Sequence, residues 1–166
     1  VSDKPTTGLE AAARTARYKF MTDWCRENSV PVLMVAHQAD DQIETFLMNL
    51  ARGSGVVGLS AMRPESYRDG ILIVRPLLGV FRSELVDYCH KNSIKYFSDE
   101  MNFDDKYTRV KIRQNRHLLF DKLGISDERI LLAIQNLSRA RDALDMDIES
   151  RVRSVLYDGY ALFSDS

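Results

Sequence analysis

Residues 30–59, VPVLMVAHQADDQIETFLMNLARGSGVVGL, constrain the fold more than any other part of the chain. The apolar run Val32-Leu33-Met34-Val35-Ala36 is short and continuous, the pattern of a strand buried on both faces. A polar turn follows, and then Ile43, Phe46, Leu47, Leu50 and Ala51 fall on one helical stripe. Strand, turn and helix in that order crowd His37, Asp40, Asp41 and Glu44 where the strand ends. In open α/β sheets this is the edge where ligands bind. Carboxylates there suit a Mg²⁺-nucleotide better than a packed interior. A purely structural reading stands beside it, because Asp41 with Glu44 three residues on has the spacing of a capping box. Asp40 adds to the functional side: adjacent aspartates cannot both cap one helix, and the second must be solvated, paired or on a cation.

The flanking sequence continues the alternation of helix and strand. Thr7 caps a helix over about residues 8–25, with Leu9, Ala12, Ala13, Ala16, Phe20 and Trp24 inward and Arg14 and Arg17 outward. Glu10, one turn before Arg14, makes either a surface pair worth about 0.3–0.5 kcal/mol or part of a binding face. Asn28-Ser29 ends that helix. Ile71-Leu72-Ile73-Val74 is a second buried strand, set off by Asp69-Gly70 and stopped by Arg75-Pro76. Ser83 opens a helix with Leu85, Tyr88 and Cys89 on one face; Tyr96-Phe97 is a brief strand, and residues 98–105 form an acidic, turn-rich loop. This order predicts an α/β fold on a parallel sheet with right-handed crossovers.

Three further features bear on function. Residues 52–58 contain a literal G-x-G-x-x-G, but a helix precedes it where a dinucleotide site requires a strand, so the glycines read as a C-cap and a loop. Residues 106–116 carry Lys106, Arg109, Lys111, Arg113 and Arg116 with no acid among them. Arg109, Arg113 and Arg116 share one helical face. That face is either solvated or a phosphate-contacting edge for nucleotide or RNA. His117 extends it, yet three scattered histidines give no metal site. Ser126, Asp127 and Glu128 open a last helix, in which Leu137, Leu144, Ile148, Val152 and Val155 keep helical spacing to about Tyr157.

An apolar fraction of 45% supports a globular protein, and 166 residues fit one domain, or one domain with a helical appendage. A net charge of −1 gives no global sign of nucleic acid, so any basic surface is local. Cys25 and Cys89 lack metal-site spacing and fit a reduced, intracellular protein. No run has the length of a membrane span and no signal peptide opens the chain. Val1 leads almost directly into a helix, which reads as the start of a fragment.

At three stretches the chain resembles the bacterial tRNA(Ile)-lysidine synthetases. They are GLEAAARTARYKFM from Gly8, AHQADDQIETFLMNLARGSGVVGLSAM from Ala36, and a spaced set of RPLL at Arg75, FRSEL at Phe81 and SDEMNFDDKYTRVKIR from Ser98. The likeness covers about residues 8–157, and the ordered combination H-x-x-D-D-x-x-E-T, R-G-S-G-x-x-G-L-S, R-P-L-L is specific where each alone is weak. The resemblance implies an N-type ATP-pyrophosphatase (PP-loop, adenine nucleotide alpha hydrolase-like) parallel sheet. Residues 1–120 would be the C-terminal portion of that catalytic domain and residues 121–166 a helical linker. It also implies a cytoplasmic ligase. ATP adenylates C2 of the wobble cytosine in tRNA(Ile) with a CAU anticodon, pyrophosphate leaves, and the amino group of free L-lysine displaces AMP. ATP and Mg²⁺ are the implied cofactors; no membrane is implied, and a homodimer is the assembly to consider.

Carried over residue by residue, the resemblance places Asp41 and Glu44 near Mg²⁺, ATP or the lysine ammonium, with Asp41 as the Mg²⁺ ligand. It places Arg109 and Arg113 near the phosphates or the activated cytosine. These four form the implied catalytic set. His37, Asp40, Arg52, Gly53, Arg14 and Arg17 are the implied ATP- and substrate-binding residues. Two departures matter. The family's Ser-Gly-Gly-x-Asp-Ser phosphate loop is absent, so at least one βαβ unit of about 30 residues is expected before Val1, and the fragment alone is expected to be inactive. Val110 stands where the family usually has Asn. A tRNA thiolase of the same superfamily is the near alternative, although Cys25 and Cys89 look like core residues. A non-catalytic RNA-binding piece using residues 106–116 is the alternative of a different class.

Overall fold

A computed structural model of the chain describes residues 9–97, 108–151, 154–157 and 160–163. The described residues fall into two compact units, one from Val1–Gln38 with Arg63–Gly79, the other from Ala39–Met62 with Val80–Ser166.

The first unit holds helix α1 (Leu9–Glu27) and strands β1 (Val32–Met34), β2 (Glu65–Arg68) and β3 (Ile71–Val74). The sheet runs β1-β3-β2, with β1 parallel to β3 and β2 antiparallel to it. The α/β class stands, but this part of the sheet is mixed. β2 was not expected, although its signal is in the sequence: Asp69 and Gly70 both take positive φ, 52° and 81°, as a two-residue hairpin turn requires. β3 is buried on alternate residues, with Ile71 and Ile73 in the core. β1 corrects the expectation of a doubly buried strand of five residues. It is three residues long, Met34 is 72% exposed, and among the described residues β1 pairs only with β3.

Helix α1 also turns a different face inward from the one its apolar residues suggest. Tyr18, Thr22 and Cys25, spaced by four and seven, are buried as the helix packs on β1 and β3, whereas Phe20 and Trp24 are exposed. Polar anchoring accounts for the choice. The guanidiniums of Arg14 and Arg68 lie 5.5 and 5.0 Å from the centre of the Tyr18 ring. Thr22 Oγ lies 3.0 Å from the Tyr18 carbonyl and 3.3 Å from the Asp69 carboxylate, either of which accepts its one proton. An alanine-rich stripe offers less area to bury than the Tyr18 ring does.

The second unit contains α2 (Ala39–Ala51), α3 (Val56–Leu59), α4 (Arg82–Lys91), α5 (Thr108–Leu123), α6 (Asp127–Arg151) and the hairpin of β4 (Ser154–Tyr157) and β5 (Tyr160–Phe163). Helix α2 packs on α3, α5 and α6, and Ile43, Phe46, Val110, Phe120 and Ile134 are buried. The last helix is therefore shorter than expected, ending at Arg151 and not near Tyr157, and Leu144 and Ile148 on it are exposed. Tyr96-Phe97 is not a strand, and Phe97 is fully exposed. The acidic loop at residues 98–105, with Lys106, lies outside the described residues.

The glycine-rich segment behaves as a helix end followed by a tight loop. Gly53 takes φ 71° and donates to the Leu50 carbonyl, while Ser54 N–H donates to that of Asn49, which closes α2 as a Schellman motif. Asn49 then reaches across to the Gly58 carbonyl at 2.7 Å, and the Gln42 amide both donates to and accepts from the Met62 backbone. A Cβ on Gly58 would lie 2.6 Å from Ser54 Cβ. Gly58→Ala is expected to cost about 1–3 kcal/mol, read as a lower urea midpoint at unchanged slope. An unchanged midpoint would mean that the loop relaxes freely.

Candidate functional site

The acidic start of α2 is built by an early helix entry. Ala39 N–H bonds the Val80 carbonyl at 2.9 Å and the helix begins at Ala39, so Asp40 and Asp41 lie inside the first turn. The dipole favours carboxylates there. The capping-box reading fails for Glu44, whose side chain is 0% exposed and turns toward α5. Its Oε1 accepts from Arg113 Nε at 2.7 Å, and its Oε2 is buried with no hydrogen bond among the described residues. Asp40 caps a different helix. Its Oδ2 accepts the backbone N–H of Arg82, an orphan donor in the first turn of α4, at 2.9 Å. Its Oδ1 accepts from Arg116 at 2.6 Å, and Arg116 also meets Asp127 of α6 at 3.2 Å.

Residues 108–123 are helical, so Arg109, Arg113 and Arg116 do share a face. The run has no acid of its own, yet two of the three arginines are neutralised from elsewhere in the chain. Glu44, Asp40 and Asp127 neutralise them from other helices, a tertiary pairing that local sequence does not display. Arg109 is half-buried, Val110 faces the core and His117 is exposed. Arg52 and Gly53 are exposed at the end of α2. Arg14, Arg17 and His37 belong to the first unit, where Arg17 is exposed and His37 half-buried just after β1. Arg116 and Asp127, whose pairing the sequence does not show, and Arg141, which sequence reasoning missed, complete the second unit's polar framework. Arg116 and Asp127 bridge α2, α5 and α6, and Arg141 sits 3% exposed with its guanidinium on Ser60 Oγ at 2.7 Å and Ser138 Oγ at 2.8 Å.

Electrostatics follow this geometry. Burial works to raise the Asp40 pKa, but the Arg82 N–H and the Arg116 hydrogen bond and charge prevail and hold it below its ordinary value. Arg113 is held more firmly protonated than usual, chiefly by its hydrogen bond to Glu44, with the charges of Glu44, Asp41 and Asp40 assisting. Carboxylates outnumber guanidiniums among the groups that interact here. Such a place attracts a cation.

A metal cage made by protein alone does not fit: among the described residues no group of three His, Cys, Asp or Glu is placed to hold an ion. Both thiols are free; Cys25 is buried in the first unit, as a core residue would be, whereas Cys89 on α4 is only half-buried. No described helix is long and apolar enough to cross a membrane.

Carboxylates at the start of α2, met by arginines of the later helix α5, fit a domain of the nucleotide-binding class. The chain belongs to the PP-loop domain family, which matches residues 1–119. Among its relatives, a tRNA(Ile)-lysidine synthase of Ruegeria pomeroyi is 44% identical over 137 residues, 82% of this chain and 32% of the relative. One of Wolbachia pipientis wMel is 46% identical over 136 residues, 82% of this chain and 31% of the relative. A third, of Rickettsia akari, is 38% identical over 157 residues, 95% of this chain and 35% of the relative. The chain thus spans about a third of the length of the curated relatives it matches.

Proposed function

We propose that the whole protein to which this chain belongs is a tRNA(Ile)-lysidine synthase. It uses ATP to adenylate C2 of the wobble cytidine in tRNA(Ile) with a CAU anticodon, and free L-lysine then displaces AMP. The observation that carries the reading is the buried Glu44 at the acidic start of α2, held by Arg113 from α5, in a chain whose relatives bear that name. Glu44 receives the lysine ammonium, which a buried carboxylate binds more strongly than a solvated one does. Asp41 stands at the Mg²⁺ that accompanies ATP. Arg109 and Arg113 serve the phosphates or the activated cytosine, with His37, Asp40, Arg52, Gly53, Arg14 and Arg17 on the nucleotide and substrate side. Residues 1–120 are then the C-terminal portion of the catalytic domain and residues 121–166 the linker; the family match over residues 1–119 supports this division. The enzyme acts in the cytoplasm, and sedimentation of the full-length protein tests the homodimer.

The deciding assay gives the full-length protein ATP, the tRNA and labelled lysine. Lysine incorporated at the wobble cytidine is expected. Sulfur incorporated without lysine would make the protein a thiolase. Steeply salt-dependent RNA binding, indifferent to ATP and anticodon, would make it a scaffold. Asp41→Asn should cut turnover far more than it lowers stability, because an amide does not replace a carboxylate at a cation. Wild-type modification by that variant would remove Asp41 from the site.

A further inference from the structure

The Glu44–Arg113 pair has an asymmetry that a permanent structural bridge does not need. Glu44 is 0% exposed, whereas the Arg113 side chain is 34% exposed and is the member that solvent reaches. Arg113 engages Glu44 Oε1 through Nε, and Oε2 is left buried without a hydrogen bond among the described residues. A buried carboxylate with an unused oxygen is costly, because an unsatisfied acceptor in a low-dielectric site loses its water and gains nothing in return. A compact ammonium has three donors and can serve both oxygens. The guanidinium therefore occupies the acceptor without completing it.

Charge balance then links two ligands. Removing Arg113 alone strands a buried anion, and adding an ammonium alone crowds two cations onto one carboxylate; each step is unfavourable separately. Exchange becomes favourable when an ammonium arrives at Glu44 as an external anion receives Arg113. A triphosphate is suited to that, since Arg binds phosphate with two parallel hydrogen bonds.

We propose that Arg113 is a displaceable stopper on Glu44, so that an amine reaches the carboxylate only as a polyphosphate anion draws the guanidinium away, and the two ligands bind cooperatively. This rests on the reading of Glu44 as the acceptor of the lysine ammonium. The coupling is reciprocal, as linkage requires. It also explains why the second unit carries a guanidinium at the very position where carboxylates outnumber it.

The test is a calorimetric titration of full-length protein with lysine, with and without a saturating non-hydrolysable ATP analogue and Mg²⁺. The analogue should tighten lysine binding by roughly 5–150-fold, and lysine should tighten the analogue by the same factor. In Arg113→Gln, lysine should bind tightly without the analogue and the coupling should vanish. Wild-type protein that binds lysine equally well with and without the analogue would overturn the stopper, as would full coupling in Arg113→Gln. The wild-type titration decides even where that variant folds poorly. Glu44→Gln separates the two ideas. If it binds lysine like the wild type, the ammonium reading of Glu44 is wrong. If it loses lysine while the wild type shows no coupling, the ammonium reading survives and the stopper alone is wrong.

Discussion

Arg113→Ala is expected to lower the stability of the full-length protein by about 3 kcal/mol, toward the low end for breaking a buried ion pair, whereas Arg109→Ala should stay within about 0.5 kcal/mol. The sequence alone predicts the same mild effect for both, because residues 106–116 contain no acid and like charges held together stabilise little. The fold separates them. Arg113 neutralises a carboxylate with no exposure at all, and its loss leaves Glu44 buried beside Asp41 and Asp40 with no cation bound to it. The low end applies because the guanidinium itself is partly solvated, so water enters when it is truncated. Urea unfolding of the two variants side by side reads the difference directly. Equal midpoints would mean that the pair is not structural.

What could be read from residues, and what could not, divides along the range of the interactions. The strand-turn-helix of residues 32–51, the Asp-Gly turn, the Schellman end at Gly53 and the Ser126 start of α6 all rest on contacts within a few residues. Periodicity and turn chemistry report such contacts. The inward face of α1 was misread because its buried stripe is chosen by Arg68 and Asp69, some fifty residues later. Glu44 was ambiguous for the same reason. Capping box and ion-pair partner have identical local spacing, and the deciding group, Arg113, lies sixty-nine residues on. The basic run looked unpaired because its acids come from α2 and α6. Sequence therefore found the site's carboxylates and arginines but not which of them hold one another.

Arg116→Met should cost about 3–5 kcal/mol at neutral pH, and its deficit against the wild type should narrow as the pH falls toward 4. In the wild type Arg116 is 8% exposed between Asp40 and Asp127, and Asp40 has a depressed pKa. A carboxylate depressed on folding contributes stability that is fully present above its unfolded value, about 3.9, and lost as pH drops through its lower folded value. The wild type should therefore be flat from pH 7 to about 5 and weaken below that. Methionine preserves much of the volume but removes the cation. Burial, the largest influence on Asp40, is then opposed by backbone N–H groups alone, and Asp127 loses the same partner. Asp40 becomes easier to protonate than it is in the wild type, so acidification costs the variant less stability. The two stability curves, measured by urea unfolding between pH 4 and 7, should converge on the acid side. Parallel curves would show that the Arg116 bridge contributes packing and not charge. Adding Asp40→Asn to Arg116→Met should recover part of the loss at pH 7 and flatten the slope, since the amide keeps the hydrogen bond from Arg82 N–H without a charge to bury.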